Sequence, residues 1–230
     1  MGALSFDALK DLLKFRSGNN AALEAATPGS TAYNLFGIWT NSAYRQLCTQ
    51  DNILGLPKKL YFPQLHTSTT KTTTDGTAYV TAPTDLLYVE DIYDTTHNLS
   101  LDQISWEKYA EYTDRTTAAS EGDPTEWTRR GTYLYLHPTP QTTGDTLTIY
   151  YKKLVADLSG TATTDIGAEW DDVIIELATY KMYIWLSEFD KSKFAKDAFL
   201  EMAGGLAGIY GNERIASQVS IGPSLAYLNK

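Results

Sequence analysis

Cysteine and histidine are nearly missing from this chain, and so is any surplus of positive charge. Cys48 is the single cysteine in 230 residues, so no internal disulfide can form. It sits among Tyr44, Arg45 and Leu47 in a helical pattern, where a small core residue is expected; a catalytic thiol wants a paired histidine and an electropositive setting. The three histidines, His66, His97 and His137, are far apart in sequence. That scatter lacks the short spacing of a zinc site, and each reads as a surface residue of a turn or strand.

Other signatures of chemistry are missing as well. There is no Gly-x-Ser-x-Gly elbow, phosphate-cradling loop or dinucleotide fingerprint. The glycines from Gly204 to Gly211 follow a helix instead of a strand, the wrong order for a phosphate site. Asp157 to Asp165 is too poor in oxygen ligands for a calcium loop. Asp171 and Asp172 stand at the start of a helix, where acids suit the dipole. The chain is therefore expected not to be an enzyme and to need no cofactor or metal. The N-terminal stretch MGALSFDALKDLL has no basic leader followed by a long apolar run, so synthesis in the cytoplasm without membrane insertion is expected. Lysine plus arginine number 19 against 28 acids, a net charge of −9 with a pI near 4.8. General affinity for nucleic acid needs the opposite balance.

What is present is ordinary core-forming material, 43% hydrophobic and 20% charged, which excludes disorder throughout. Ser5 can cap a first helix with Phe6, Leu9, Leu12 and Leu13 on one face, and Gly18 can stop it. A second helix, about Thr31 to Gln50, carries Phe36, Trp39, Ala43 and Leu47 at helical spacing. After Pro57 the character changes. Threonine-rich sequence around an Asp75-Gly76 turn predicts a hairpin. LLYVEDIY (86–93) predicts a strand paired with 99–104, and Ser105 caps a short helix, WEKYAEYTD. The stretch WTRRGTYLYLHPTP (127–140) predicts another hairpin, and TLTIYYKKL (146–154) alternates as a strand. Local connections throughout favour antiparallel pairing. Helix returns at Glu169 with Trp170, Val173, Ile174, Leu177, Tyr180, Ile184 and Trp185 on a broad apolar stripe. A further segment capped by Asp190 carries Phe194, Ala195, Phe199 and Met202, and Gly204-Gly205 ends it. Residues beyond are expected to be extended or disordered in the free protein.

The expected fold class is thus α+β. A helical bundle (1–56 and 168–204) holds an inserted antiparallel β-domain (57–167), and an extended C-terminal tail (205–230) follows. Trp127, Arg129, Tyr133 and Tyr135 are the residue types that anchor protein interfaces, and they mark an expected contact surface on the β-domain. Arginine interleaved with aromatic rings also suits nucleic acid, but the acidic balance favours a protein contact.

The order of these parts resembles the head-to-tail adaptor (connector) proteins of tailed bacteriophages, the tail tubular protein A-like group. The resemblance is carried by LSFDALKDLLKFRSG, WTNSAYRQL, GTAYVTAPTDLLYVEDIYD, GDPTEWTRRGTYLYLHPTP, LTIYYKKL and WDDVIIELATYKMYIWLSEFD, spread over residues 4 to 203. It implies a ring of about twelve copies in the virion neck, made in the host cytoplasm, between the portal and a tail nozzle or tail-tube protein. DNA would pass through the ring without specific binding, and twelve such chains would carry about −108 formal charges. In that setting Ile221, Leu225, Tyr227 and Leu228 of the tail are expected to order on the portal. The alternative is a binding module, with the Trp127 and Tyr133 platform holding a glycan or peptide.

Overall fold

The computed structural model describes residues 2–18, 20, 23, 27, 29–49, 53–56, 60–115 and 120–220, with backbone alone for 113–115 and 210–220. The chain divides into two compact units. One combines Met1–Gln64 with Val155–Lys230, and the other is Leu65–Leu154.

The first unit is helical. Helix α1 (Phe6–Ser17) begins at Ser5, whose hydroxyl accepts the Ala8 amide at 3.3 Å, and closes at Gly18, with φ at 61°. Both ends follow the expected capping chemistry. Helix α2 (Thr31–Thr49) buries Phe36, Trp39, Ala43, Leu47 and Cys48. Helix α4 (Asp171–Trp185), named in chain order, packs against α1, α2 and α5 (Phe189–Ser220). Val173, Ile174, Ile175, Leu177, Ala178 and Met182 are all buried, so α4 is covered on more than one side. Ile184 and Trp185, expected on the same stripe, are about half exposed, with the Trp185 ring 5.5 Å from that of Trp39.

Polar contacts fix where α4 sits. Asp171 Oδ2 accepts the Leu4 amide at 2.6 Å, and Oδ1 accepts the Thr164 hydroxyl at 3.2 Å. Burial raises the Asp171 carboxyl above the usual carboxylate range, against these two bonds that lower it. Arg16 Nη1 meets Glu176 Oε1 at 2.7 Å, and the Tyr183 hydroxyl donates to the Arg16 carbonyl at 2.8 Å. The segment leading back into α4 is tied down in turn. The Asn41 side chain donates to the Leu158 carbonyl at 3.1 Å and accepts its amide at 2.9 Å, while the Asp165 amide donates to the Tyr44 hydroxyl at 3.0 Å.

Two expectations about α5 need correction. Asp190 lies inside the first turn, not at the cap, and Gly204-Gly205 does not end the helix. Residues 205–220 are helical, where an extended tail was expected. Ala195, Phe199, Ala203 and Ala207 are buried at four-residue steps, so the packed stripe runs straight through the glycine pair. Small side chains continue the face that the eye loses when the large ones stop. Phe194, expected on the stripe, is 76% exposed.

The second unit is a β-sandwich. Its strands are β1 (His66–Thr72), β2 (Tyr79–Thr81), β3 (Leu86–Asp94), β4 (Leu99–Ser100), β5 (Asp102–Gln103), β6 (Glu121–Gly122), β7 (Glu126–Arg130), β8 (Tyr133–His137), β9 (Thr139–Pro140) and β10 (Thr146–Lys153), with helix α3 (Trp106–Arg115) after β5. One sheet has the order β1-β10-β3-β4 and the other β2-β8-β7-β5. Val80, Leu86, Ile92, Trp127, Leu134, Leu136, Leu147 and Ile149 fill the core shared by them.

The main ladders are antiparallel, as expected, but β5 with β7 and β6 with β9 are short parallel pairs. The Asp75-Gly76 turn forms, with the Thr77 amide on the Thr74 carbonyl at 3.0 Å, yet it makes no hairpin. Strand β1 pairs with β10, and β2 pairs with β8 in the other sheet. The turn is a corner between sheets. Likewise the expected 99–104 strand is split. Leu99–Ser100 pairs with β3, and Asp102–Gln103 crosses to β7. The first and last strands of the unit are neighbours, with His66 opposite Lys152.

A continuous α5 gives an expected outcome. An added Cβ at Gly204 or Gly205 would meet nothing within 4 Å. Gly205→Ala should therefore stabilise the helix by about 0.5–1 kcal/mol, read as a higher urea midpoint and increased helical ellipticity. A helix ending at the glycine pair would give no gain.

Candidate functional site

The β7–β8 hairpin turns through Gly131 and Thr132, with Gly131 at φ 61°. A two-residue turn fixes the register, and register decides which side chains share a face. Trp127 stands opposite Leu136, Thr128 opposite Tyr135, Arg129 opposite Leu134, and Arg130 opposite Tyr133. The four residues expected to form one contact surface therefore divide between two faces.

Trp127 belongs to the inner face. It is 3% exposed and packs with Leu134 and Leu136 in the sandwich core. Arg129 points to the same side. Its Nη1 donates to the Leu87 carbonyl at 3.0 Å and Nη2 to the Leu86 carbonyl at 3.4 Å, which ties β7 to the start of β3 in the facing sheet. Those bonds make it a brace between sheets.

Tyr133 and Tyr135 lie on the outer face, in company that proximity in sequence did not suggest. Tyr79 of β2 meets Tyr133 at 4.7 Å and Tyr135 at 5.8 Å between ring centroids. Helix α3 lays its own rings over the same sheet. Trp106 and Tyr109 stand 5.3 and 5.4 Å from Tyr135, and Tyr112 stacks on His137 at 4.2 Å. Two cations cap this seam. The Arg130 guanidinium lies 4.2 Å from the Trp106 ring centre, and Lys108 lies 5.5 Å from that of Tyr112 while its Nζ bonds Glu126 at 2.6 Å. The ring pairs add about 0.5–1.5 kcal/mol each beyond the area they bury.

Electrostatics follow the packing. The bond to Glu126, then that to Tyr112, holds the Lys108 ammonium well above its ordinary value. Burial raises Tyr109, with Tyr135 adding to the effect. Burial lowers His137, against the pull of Glu126. The result is a stiff, ring-lined face whose exposed part is Tyr79, Tyr133 and Arg130. Such a face can grip a partner by stacking and by guanidinium bonding, and its residue types suit an interface anchor. Tyr79 and Trp106 were not expected there. The turn length alone would have put Arg130 beside Tyr133 and Trp127 behind them.

The helical unit offers apolar surface of another kind. Phe15, Ile38, Trp185, Phe189, Phe194 and Ile209 are each more than half exposed, Phe15 by 83%. The tail residues Ile221, Leu225, Tyr227 and Leu228 lie outside the described residues. No described helix is long and apolar enough to cross a membrane.

Comparison with known families gives a match to the SU10 adaptor protein over residues 7–222. No curated protein matches the chain.

The division of the hairpin into two faces is testable by substitution. Trp127→Ala should destabilise the β unit by about 3–5 kcal/mol as a core truncation, and Tyr133→Ala by about 1 kcal/mol or less. Urea denaturation followed by hydrogen exchange in the β unit measures both. The lowered His137 gives a signed pH effect. Its neutral ring contributes stability that is complete above the unfolded value of about 6.5. That stability is lost as pH falls through the lower folded value. His137→Gln should therefore flatten the loss of stability between pH 7.5 and 5 relative to the unaltered chain.

Proposed function

Because the chain belongs to the SU10 adaptor protein family, we propose that it closes into a ring of about twelve copies between the portal and the tail of a tailed phage. The family is one of structural phage adaptors, not of enzymes, and joins head to tail in the virion neck. The observation that supports ring closure is the apolar surface left on the helical unit by Phe15, Ile38, Trp185, Phe189, Phe194 and Ile209. Fully covering one such side chain is worth about 1.5–3 kcal/mol. A ring of this kind is built from heterologous contacts, in which one face of a subunit meets a different face of the next.

The outer face of the β unit serves the second contact. Tyr79, Tyr133 and Arg130 form its rigid, partly exposed part, with Tyr135 beneath them, and the tail nozzle or tail-tube protein is the partner. Residues 221–230, with Ile221, Leu225, Tyr227 and Leu228, order against the portal by adding backbone hydrogen bonds. The net charge of −9 per chain disfavours a grip on phosphate, so DNA slides through the channel without specific binding. A glycan- or peptide-binding module is the second reading, favoured by the exposure of Tyr79 and Tyr133.

Mixing the chain with purified portal and imaging the product by electron microscopy tests the assembly. A ring stacked on the portal is expected. Phe15→Glu with Phe194→Glu should leave the helical content intact and abolish ring closure. Deletion of residues 221–230 should weaken portal binding at least tenfold. A folded monomer that ignores the portal but binds an oligosaccharide, with affinity lost in Tyr133→Ala, would establish the second reading instead.

A further inference from the structure

Three connections of the β unit bring together side chains that lie far apart in sequence. His97 sits in the turn after β3, Asp123 in the loop after β6, and Asp145 just before β10. A ring nitrogen of His97 and one carboxylate oxygen from each of Asp123 and Asp145 lie within 4.8 Å of one another. His97 Nε2 stands 3.7 Å from Asp123 Oδ1.

The other ring nitrogen is already committed. His97 Nδ1 lies 2.8 Å from Asp94 Oδ2, and Asp94 is fully buried. Asp94 Oδ1 accepts the amides of Thr96 and His97 at 2.8 and 3.1 Å, so the carboxylate cannot turn away. In the tautomer whose Nδ1 donates to Asp94, Nε2 carries a lone pair and lies 3.7 Å from Asp123 Oδ1. A carboxylate behind the far nitrogen is how metal-binding imidazoles are held and made more basic. Asp145 is 8% exposed and equally fixed. Its amide donates to Thr73 Oγ1 at 3.1 Å, its carbonyl accepts the Thr73 amide at 2.9 Å, and the Thr142 hydroxyl donates to its carboxylate.

We propose that His97, Asp123 and Asp145 bind a divalent transition-metal ion of the zinc type, with Asp94 orienting the imidazole and water completing the coordination. One nitrogen and two carboxylates with an open position suit that class of ion. Nitrogen and oxygen ligands stand about 2.0–2.2 Å from zinc, so the cluster must tighten by less than about 1 Å. Asp123, half-exposed in its loop, is the member able to move. The ion would pin the Asp123 loop to the turns before β10 and after β3, which backbone bonds already join through Thr95 and Thr146 at 2.9 Å. The site does not depend on ring assembly.

The test uses untagged full-length chain, stripped with a chelator and dialysed. Calorimetric titration with Zn²⁺ and Co²⁺ should show one ion per chain, a visible Co²⁺ spectrum and a thermal midpoint raised by a few degrees. His97→Gln and Asp123→Asn should each weaken binding at least tenfold, and Glu121→Gln should not. Asp123 is at the surface, so Asp123→Asn reports on binding even if a change at Asp145 disturbs folding. Absence of binding at millimolar ion, binding that survives both variants, or a Ca²⁺ or Mg²⁺ response indifferent to His97→Gln would each overturn the proposal.

Discussion

Burial of α4 is the constraint from which the helical unit follows. Its apolar residues point in more directions than one partner can cover, and α1, α2 and α5 cover them together. Two of those partners precede the β unit in sequence, whereas α4 and α5 come after it. The bundle therefore lacks its central element until the chain has gone through the β strands and returned. Helices of this length are marginal alone, and tertiary packing supplies most of their stability. Asp171 on the Leu4 amide and Glu176 on Arg16 add little net energy beside the apolar burial. What they supply is position, since each joins residues from opposite ends of the chain.

The β unit solves a different problem. A single sheet would leave one apolar side uncovered, so two sheets share Trp127, Leu134, Ile149 and their neighbours. The outer side of the second sheet is then free for other use. Helix α3 and three tyrosines of β2 and β8 fill it with rings that hold one another in place. Side chains so held lose little freedom when a partner arrives, which is the favourable condition for an anchor.

Local chemistry made much of this legible. Ser5 and Gly18 delimit α1, the Phe36, Trp39, Ala43 and Leu47 spacing marks α2, and alternation in residues 146–153 marks β10. Pairing across distance was not legible. Nothing near Asp75-Gly76 says that the strands on its two sides join different sheets, because the partners β10 and β8 lie about 50 or more residues on. The contact surface was misgrouped for a simpler reason. Trp127 and Arg129 are close to Tyr133 in sequence, but strand alternation and the hairpin register send them to the opposite side. Gly204-Gly205 misled because glycine's cost in a helix, about 1 kcal/mol, is less than what the buried Phe199, Ala203 and Ala207 return.

The pairing of β1 with β10 has a consequence for how such a chain can change over time. Entry and exit of the β unit are adjacent strands, with His66 facing Lys152. To the helices, everything between them is a short bridge of constant span. Strands may lengthen, loops may grow, and the outer rings may be exchanged for others without altering the gap the bundle must close. The outer rings can then drift while the helical unit keeps its own packing.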